Sequence, residues 1–338
     1  MNNKKVYIIA EAGVNHNGCV DTALKMIRVA KDAGVDAVKF QTFNATKSIS
    51  KLAKMAKYQI KNTGKIESQL DMVKKYELTF EEHLILKKYA DEIGIEFLSS
   101  PFDMESVELL EKLGVSMYKI ASGEIVNHPL LRLIAKKNKP IIMSTGMSTI
   151  GEIEEAINVI EKEQNYSITL LQCTSNYPPK YENVNLNVMS TLAQSFQYPV
   201  GYSDHTIGDE IAIAAVALGA KVIEKHFTLD KKMEGPDHLV SLEPTELSKM
   251  VQHIRNVELA MGNYKKTITD DEIEIRLAAR KSIVASKKII KGSFISLDDI
   301  TLKRPGTGLL PKYIDNIIGR KVSRNIEPDE LITYKDLV

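Results

Sequence analysis

Two stretches, Tyr198–His205 (YPVGYSDH) and Ala220–His226 (AKVIEKH), predict the fold of this chain. In each stretch a short apolar run, typical of a buried parallel strand, leads directly to a polar segment that contains a histidine. The segment between them, Asp209–Leu218, has the length and composition of a helix that connects two parallel strands. Because parallel barrel strands present their carboxyl ends on one face, we expect His205 and His226 to lie together there, where they could bind one divalent metal.

The same alternation of strand and helix patterns extends over residues 1–262. The helical patterns carry capping signals, as at Thr79 before Phe80–Ile93 and at Thr149 before Ile153–Glu163. The alternation predicts a (β/α)8 TIM barrel. An open doubly wound sheet is the alternative, but no Gly-x-Gly-x-x-Gly turn follows the first strand. The predicted strands are Val6–Ala10, Ala37–Gln41, Glu96–Ser99, Met117–Ile120, Pro140–Ser144, Thr169–Cys173, Pro199–Tyr202 and Lys221–Glu224.

The pattern changes after Gly262. Residues 263–279 begin with a polar run and are predicted to be a linker, and residues 280–338 are predicted to form a small β-rich domain. Within that domain Ile289–Ile300 resembles Ile326–Leu337 in spacing and apolar placement, which indicates a pseudo-symmetric module. A core of this size gains stability by docking onto a partner surface.

Composition excludes several classes of function. The chain has 338 residues, a formal net charge of +1 and two cysteines. The charge gives no sign of nucleic-acid binding, and no apolar stretch is long enough to span a membrane. The cysteine count indicates no disulfide framework. We therefore expect a cytoplasmic protein.

Polar residues follow most of the predicted strands and, in a barrel, would share one rim. Lysines and hydroxyls beside glycines suit a phosphate and a carboxylate. Two histidines would leave a metal with open positions for substrate oxygens, and Glu11 could hold a sugar hydroxyl or move a proton. Taken singly, each residue has a structural explanation, and the convergence favours a site. His83 and His253, by contrast, are expected on helix surfaces. The rim residues include Glu11, Lys39, Gln41, Ser99, Ser100, Lys119, Ser122, Glu124, Ser144, Thr145, Thr174, Ser175, Asn176, Tyr177, Ser203, His205 and His226.

These motifs resemble those of the sialic acid (N-acetylneuraminate) synthase family, over essentially the whole chain. The segment from Tyr58 to Leu70 is most similar to the N-acetylneuraminate and legionaminate branches. Lys303–Gly308 lies in what resembles the antifreeze-protein-like (SAF) domain of that family. The matching motifs are Ile8–Gly18, Lys39–Thr42, Tyr118–Glu124, Ser144–Met147, Gly201–Thr206, Glu224–Thr228, Gly235–His238 and Lys303–Gly308.

The resemblance implies condensation of phosphoenolpyruvate with N-acetylmannosamine, giving a nine-carbon 2-keto acid and phosphate with C–O cleavage. N,N'-diacetyllegionaminate or pseudaminate synthesis from a 2,4-diacetamido-6-deoxy-hexose is the alternative. His205 and His226 would bind Mn²⁺, or else Mg²⁺ or Co²⁺, and Glu11 would assist catalysis. Arg304 would reach the site of the other subunit in a domain-swapped homodimer. The substrate-binding residues would be Lys39, Ser100, Lys119, Ser122, Ser144, Ser175, Tyr177, Ser203, Asp237 and Arg304.

Two other functions are less consistent with the residues. A related synthase that acts on a phosphorylated sugar would need a further basic cluster, and none is present among the rim motifs. An ice- or carbohydrate-binding protein built around the C-terminal module would leave the rim residues unexplained.

Overall fold

The computed structural model describes residues 5–64 and 67–338. The chain divides into two compact units, Met1–Gly262 and Asn263–Val338. Each unit has a hydrophobic core of its own.

Eight parallel strands form the sheet of the first unit, in the order β3-β2-β1-β8-β7-β6-β5-β4. The strands at the two ends of that order, β3 and β4, also lie side by side, which closes the sheet into a TIM barrel. All eight predicted strands are present, and β1, β2, β3, β7 and β8 extend farther toward their carboxyl ends than predicted. The strands are β1 (Tyr7–Gly13), β2 (Ala37–Thr42), β3 (Glu96–Pro101), β4 (Tyr118–Ile120), β5 (Ile141–Ser144), β6 (Ile168–Cys173), β7 (Val200–Asp204) and β8 (Val222–His226).

Helices follow the strands, as the alternating pattern predicts. Thr79 and Glu82 form the expected capping box at the start of the helix Phe80–Ile93, and Gly94 ends it in the left-handed conformation. The helices of the first unit are α1 (Val20–Asp32), α2 (Ala45–Ser48), α3 (Lys57–Thr63), α4 (Gln69–Lys74), α5 (Phe80–Ile93), α6 (Met104–Lys112), α7 (His128–Ala135), α8 (Ile150–Glu161), α9 (Val188–Phe196), α10 (Glu210–Ala217) and α11 (Pro244–Met261).

Apolar side chains fill both sides of the barrel wall. Ile9, Leu98 and Leu171 belong to a cluster inside the barrel, and a larger cluster packs between the strands and the helices. At Gly201 a Cβ atom would lie 2.3 Å from the carbonyl oxygen of Val222. Glycine therefore allows β7 and β8 to approach closely just before their polar ends.

The second unit is a small domain with a two-stranded antiparallel sheet, β9 (Ser282–Ala285) and β10 (Ile300–Lys303). The internal repeat is visible in its pairing, because Ile289 and Ile326, which are equivalent in the two halves, exchange both backbone hydrogen bonds at 2.9 Å. Part of the predicted linker 263–279 is the helix α12 (Asp270–Ala279), and the assignment of this segment as a linker stays a prediction. The signal was Thr269 followed by Glu272, a capping box. The remaining helix of this unit is α13 (Ile314–Ile317).

Among the described residues, no helix combines the length and the apolar character that a bilayer crossing requires.

Candidate active site

A cavity of about 470 Å³ opens at the carboxyl ends of the barrel strands. Twelve of the polar residues that the sequence places on the rim contribute to its lining, and the strands that carry them lie around the whole barrel. These lining residues are Glu11, Lys39, Gln41, Ser100, Lys119, Ser122, Ser144, Ser175, Tyr177, Ser203, His205 and His226. The structure therefore brings these residues together, while their individual roles stay predictions.

Two lysines and two glutamates form a chain of alternating charge at the base of the cavity. Lys39 Nζ lies 2.6 Å from Glu11 Oε2 and 3.6 Å from Glu224 Oε2. Lys119 Nζ lies 3.5 Å from the other oxygen of Glu224. All four side chains are buried. The carboxylates therefore compensate the two ammonium groups before any substrate anion arrives.

This arrangement shifts the acid strength of each group. Burial raises the pKa of Glu11 to about 7, although Lys39 acts in the opposite direction. Burial also acts to raise the pKa of Glu224, but Lys119 and Lys39 outweigh it and hold that pKa at about 2. Burial lowers the pKa of Lys119. For Lys39 burial acts in the same direction, but Glu11 and Glu224 outweigh it and raise the pKa. Glu224 is therefore an anion that fixes positive charge, and Glu11 can hold or release a proton near neutral pH.

Serine hydroxyls accompany the charged groups. Lys39 Nζ donates to Ser100 Oγ at 3.1 Å, and Lys119 Nζ donates to Ser144 Oγ at 2.7 Å. Ser203 Oγ donates to Glu224 Oε1 at 2.8 Å. Lysines and hydroxyls at this separation offer several donors to a phosphate or carboxylate.

Two further serine hydroxyls, those of Ser122 and Ser175, lie close to Gly146. The backbone N–H of Gly146 donates to Ser122 Oγ at 3.0 Å. A Cβ at position 146 would lie 2.3 Å from Ser175 Oγ. Only glycine lets the backbone come this close to the two serines that the sequence assigned to substrate binding.

His205 and His226 lie beside each other, with ring centroids 5.4 Å apart. His205 Nδ1 is 2.9 Å from the carbonyl oxygen of Thr174, so Nδ1 donates its proton there and Nε2 keeps a free lone pair. Burial, followed by the influence of His205, lowers the pKa of His226 well below its usual value. Its buried Nδ1 has no hydrogen-bond partner.

Burial acts to lower the pKa of His205, but Cys173 and the carbonyl of Thr174 outweigh it and raise that pKa. Two imidazoles that each keep a ring nitrogen for coordination fit a divalent metal such as Mn²⁺ or Mg²⁺ once His205 has released its second proton. The described residues contain no group of three or more His, Cys, Asp or Glu side chains arranged for a metal. A metal at this position would therefore take two ligands from the protein and keep its other positions for water or substrate oxygens.

A second cavity, of about 300 Å³, adjoins the first. Gln41, Tyr177 and His226 line both cavities. Asp237 lines only the second one, where burial raises its pKa to about 6. The apolar part of the wall consists of Val14, Phe43, Ile49, Met72, Val73, Tyr76 and Phe102.

The loop that carries Asp237 is fastened by hydrogen bonds on both sides. Asn62 Nδ2 donates to the carbonyl of Pro236 at 2.6 Å. His238 contacts Thr228 Oγ1 through Nδ1 at 2.6 Å and Asn17 Oδ1 through Nε2 at 3.3 Å. These contacts hold Asp237 at the second cavity without using its own carboxylate.

Sequence reasoning missed the role of Glu224 and misplaced His83. Glu224 precedes His226 by two residues in β8, and that spacing places both side chains on the same face of the strand. His83 is fully buried and its Nε2 lies 2.9 Å from Thr42 Oγ1, so the expected surface position is wrong. The sequence did contain a pattern that predicts this burial. His83 is spaced from Leu86 and Ala90 so that all three lie on the inner face of α5.

Arg304 belongs to the second unit, where its Nε donates to the carbonyl of Ala279 at 3.0 Å. Its assignment to an active site stays a prediction.

Comparison with known proteins matches the NeuB family model to residues 26–266 and the SAF domain model to residues 280–338. The chain belongs to the NeuB family. It is 51% identical to the N,N'-diacetyllegionaminic acid synthase of Campylobacter jejuni, over 97% of this chain and 99% of that protein. It is 45% identical to the enzyme of the same name from Legionella pneumophila, over 98% of this chain and 94% of that protein.

The fold agrees with solved members of the NeuB family. The crystal structure of the N-acetylneuraminic acid synthetase of Leptospira borgpetersenii, a complex with citrate, matches with a TM-score of 0.73. The sequence identity is 36%, and the match covers 81% of this chain and 90% of that one. This NeuB-family chain is therefore an enzyme of the nonulosonic acid synthase type with a TIM barrel followed by a SAF domain, as predicted.

Proposed function

We propose that this enzyme condenses phosphoenolpyruvate with a 2,4-diacetamido-6-deoxy-hexose to give an N,N'-diacetyllegionaminate-type acid and phosphate. The sequence favoured N-acetylmannosamine as the sugar, with the diacetamido sugar as the alternative. The relatives favour the alternative, because two legionaminic acid synthases are 51% and 45% identical to this chain whereas the sialic acid synthetase of known structure is 36% identical.

The single observation that carries the choice of sugar is the lining of the second cavity. Apolar and polar side chains contribute about equally to its wall, and its acidic groups are the carboxyls of Glu124 and Asp237. None of the described residues that line it is a lysine or an arginine. Such a wall suits the methyl group of a 6-deoxy sugar and the methyls of two acetamido groups. It disfavours a sugar phosphate, whose dianion would face two carboxyl groups with no lysine or arginine in the described part of the lining.

The first cavity suits phosphoenolpyruvate. Lys39 and Lys119 stand on different strands, so one can serve the phosphate and the other the carboxylate. Ser100 and Ser144 add a hydroxyl beside each ammonium group. Because Glu11 and Glu224 already neutralise the lysines, binding of a highly charged anion favours uptake of a proton. Glu11, with its raised pKa, is the group best able to take it.

His226 lines both cavities, and His205 lies beside it in the first. A divalent metal held there, Mn²⁺ by our proposal and Mg²⁺ or Co²⁺ otherwise, would supply a Lewis acid for the aldehyde oxygen of the sugar. The proposed reaction then joins C3 of phosphoenolpyruvate to the aldehyde carbon. Water adds to the resulting cation at C2, and the tetrahedral intermediate loses phosphate as its C–O bond breaks. The lysines stabilise the phosphate and carboxylate charge throughout, and Glu11 orients the sugar or moves a proton.

The active form we propose is a homodimer in which SAF domains are exchanged between active sites, so that Arg304 serves the partner's sugar. The helix α12 of the second unit is consistent with this assembly, because Ile273 and Leu277, which lie one turn apart on the same face, are 49% and 47% exposed. Adjacent exposed apolar side chains of this kind can mark a surface that another chain covers. The cytoplasmic location also stays a prediction.

The test measures phosphate release and product mass with phosphoenolpyruvate and each of three sugars: the diacetamido-6-deoxy sugar, N-acetylmannosamine and its 6-phosphate. We expect the highest kcat/KM with the diacetamido sugar, and with phosphoenolpyruvate labelled by ¹⁸O in the bridging position we expect the label in phosphate. A preference for either of the other sugars would overturn the choice of substrate while leaving the reaction class intact.

A matched pair of variants locates the sugar. Asp237→Asn should raise the KM for the sugar and leave the KM for phosphoenolpyruvate unchanged, because Asp237 lines the second cavity alone. The control is Asp230→Asn. Asp230 precedes Asp237 in the same segment between β8 and α11, and its carboxylate accepts a hydrogen bond from the Lys232 N–H. Equal effects of the two changes would contradict a direct contact with the sugar.

A further inference from the structure

A buried ion pair lies directly behind the two histidines. Asp204 ends β7 and Lys225 is the neighbouring residue on β8, where the two are register partners. Ser203, His205, Glu224 and His226 line the first cavity, and these two residues do not. Since side chains alternate between the faces of a strand, Asp204 and Lys225 lie on the other side of the barrel wall, toward the helices.

The pair is bonded to the chain on both sides of His205. Lys225 Nζ lies 2.7 Å from Asp204 Oδ2 and donates to the carbonyl of Thr206 at 2.5 Å. The other oxygen of Asp204 accepts from the N–H and the hydroxyl of Thr206 at 2.9 and 2.8 Å. One ammonium group, on the residue just before His226, thus fixes the residues that precede and follow His205.

Stability alone is a poor explanation for this arrangement. The side chains of Lys225 and Asp204 are 1% and 0% exposed, and removing two charges from water offsets much of their attraction. Apolar residues of similar volume commonly stabilise such a position as well or better. An ion pair with hydrogen bonds does, however, fix the orientation of its two side chains and the distance between them more precisely than apolar packing does.

A metal site needs that accuracy, because ligand distances are held to about 0.2 Å. His205 directly follows β7 and His226 ends β8, and the Asp204–Lys225 contact is a side-chain link between the residues next to them. A change in this link would move one imidazole relative to the other without touching either ring.

We infer that Asp204 and Lys225 are positioning residues that set the spacing and direction of His205 and His226, and thereby the affinity for the divalent metal. The inference rests on the metal binding included in the proposed function. It explains why a charged residue stands beside each histidine. Coordination of a metal by the two imidazoles does not itself require those charges.

The test is Mn²⁺ binding to chelator-treated protein, measured by electron paramagnetic resonance and calorimetry without substrates. The variant Asp204→Asn/Lys225→Met removes both charges together, so neither partner is left as an isolated buried ion. Residues behind metal ligands typically change metal affinity by about 10- to 100-fold. We expect the Mn²⁺ dissociation constant of the double variant to rise by that factor, while circular dichroism shows the native fold.

The matched control is Arg255→Met, which breaks an ion pair with Asp36 on the barrel unit, where the arginine also donates to the carbonyl of Val6 before β1. The control should lower the melting temperature and leave the Mn²⁺ dissociation constant unchanged. A single variant, Lys225→Gln, gives a second measurement if the double variant does not fold, and its Mn²⁺ affinity should also fall.

Each outcome is decisive. Wild-type affinity in a folded double variant or in Lys225→Gln would overturn the positioning role and leave the metal site standing. An equal loss of Mn²⁺ affinity in Arg255→Met would show a general effect of stability and would also overturn it. If the wild-type protein binds no Mn²⁺, the metal site of the proposed function fails and the inference fails with it.

Discussion

Lys119 Nζ lies 3.5 Å from Glu224 Oε1, and the two side chains are 3% and 7% exposed. They stand on β4 and β8, which are far apart in the strand order, and the closed barrel places them face to face. The lysine is therefore held at the base of the cavity by a carboxylate from across the barrel.

Removing this lysine should weaken the binding of phosphoenolpyruvate. Lys119→Met keeps the length of the side chain and removes its charge, and it should raise the KM for phosphoenolpyruvate more than that for the sugar. A hydrogen bond to a charged group contributes about 1.5–3 kcal/mol, or roughly 10- to 150-fold. Lys137→Met, which removes an exterior ion pair with Glu108, is the control. Unchanged phosphoenolpyruvate kinetics in Lys119→Met would remove this lysine from the substrate site.

Chelation should abolish turnover, and Mn²⁺, Mg²⁺ or Co²⁺ should restore it. The expectation follows from the two histidines, whose available lone pairs lie on rings 5.4 Å apart. His205→Ala and His226→Ala should each stay folded and lose most activity, because a site with two protein ligands cannot hold the metal when one of them is removed. Full activity of metal-stripped wild-type protein would refute the proposal.

Acid should destabilise the protein through His16. Burial, with a smaller effect of His83, lowers the pKa of His16 to about 4 from 6.5. Between these values the unfolded chain binds the proton and the folded chain does not, so the free energy of unfolding falls as the pH drops from 6.5 to 4. At about 1.4 kcal/mol for each pKa unit the full contribution is about 3 kcal/mol.

The variant His16→Asn isolates this contribution. Asparagine can still accept the hydrogen bond that the Gly18 N–H gives to His16 Nδ1, but it does not titrate in this range. Urea unfolding at several pH values should show a shallower pH dependence in the variant. A slope equal to that of the wild type would contradict the lowered pKa.

Mixed dimers test the exchange of SAF domains. Arg304→Ala and His226→Ala subunits should each be nearly inactive alone and should regain activity when refolded together. In such a dimer one site would combine an intact barrel with an intact Arg304 from the other chain. Mass spectrometry confirms that mixed dimers form, and their inactivity would mean that Arg304 does not serve the partner's site.

The sequence by itself determined the barrel and the second domain. Helix caps such as Thr79 with Glu82, and short apolar runs before polar residues, depend on neighbours within a few positions. Because the carboxyl ends of parallel barrel strands share one face, the sequence also located Lys39, His205 and His226 on one rim before any distance was known. The helix within 263–279 also had a local signal, the capping box of Thr269 and Glu272, which the polar composition of the segment outweighed.

The tertiary structure alone decided which of these groups interact. Glu224 compensates Lys39 and Lys119 because closure of the barrel brings β8 opposite β4 and near β2. Asp204 and Lys225 form their ion pair because β7 and β8 adopt one particular register. Burial, which sets the acid strength of Glu11, likewise depends on every element packed around the site. Sequence spacing encodes short-range geometry, whereas these contacts join residues that only the folded chain brings within reach.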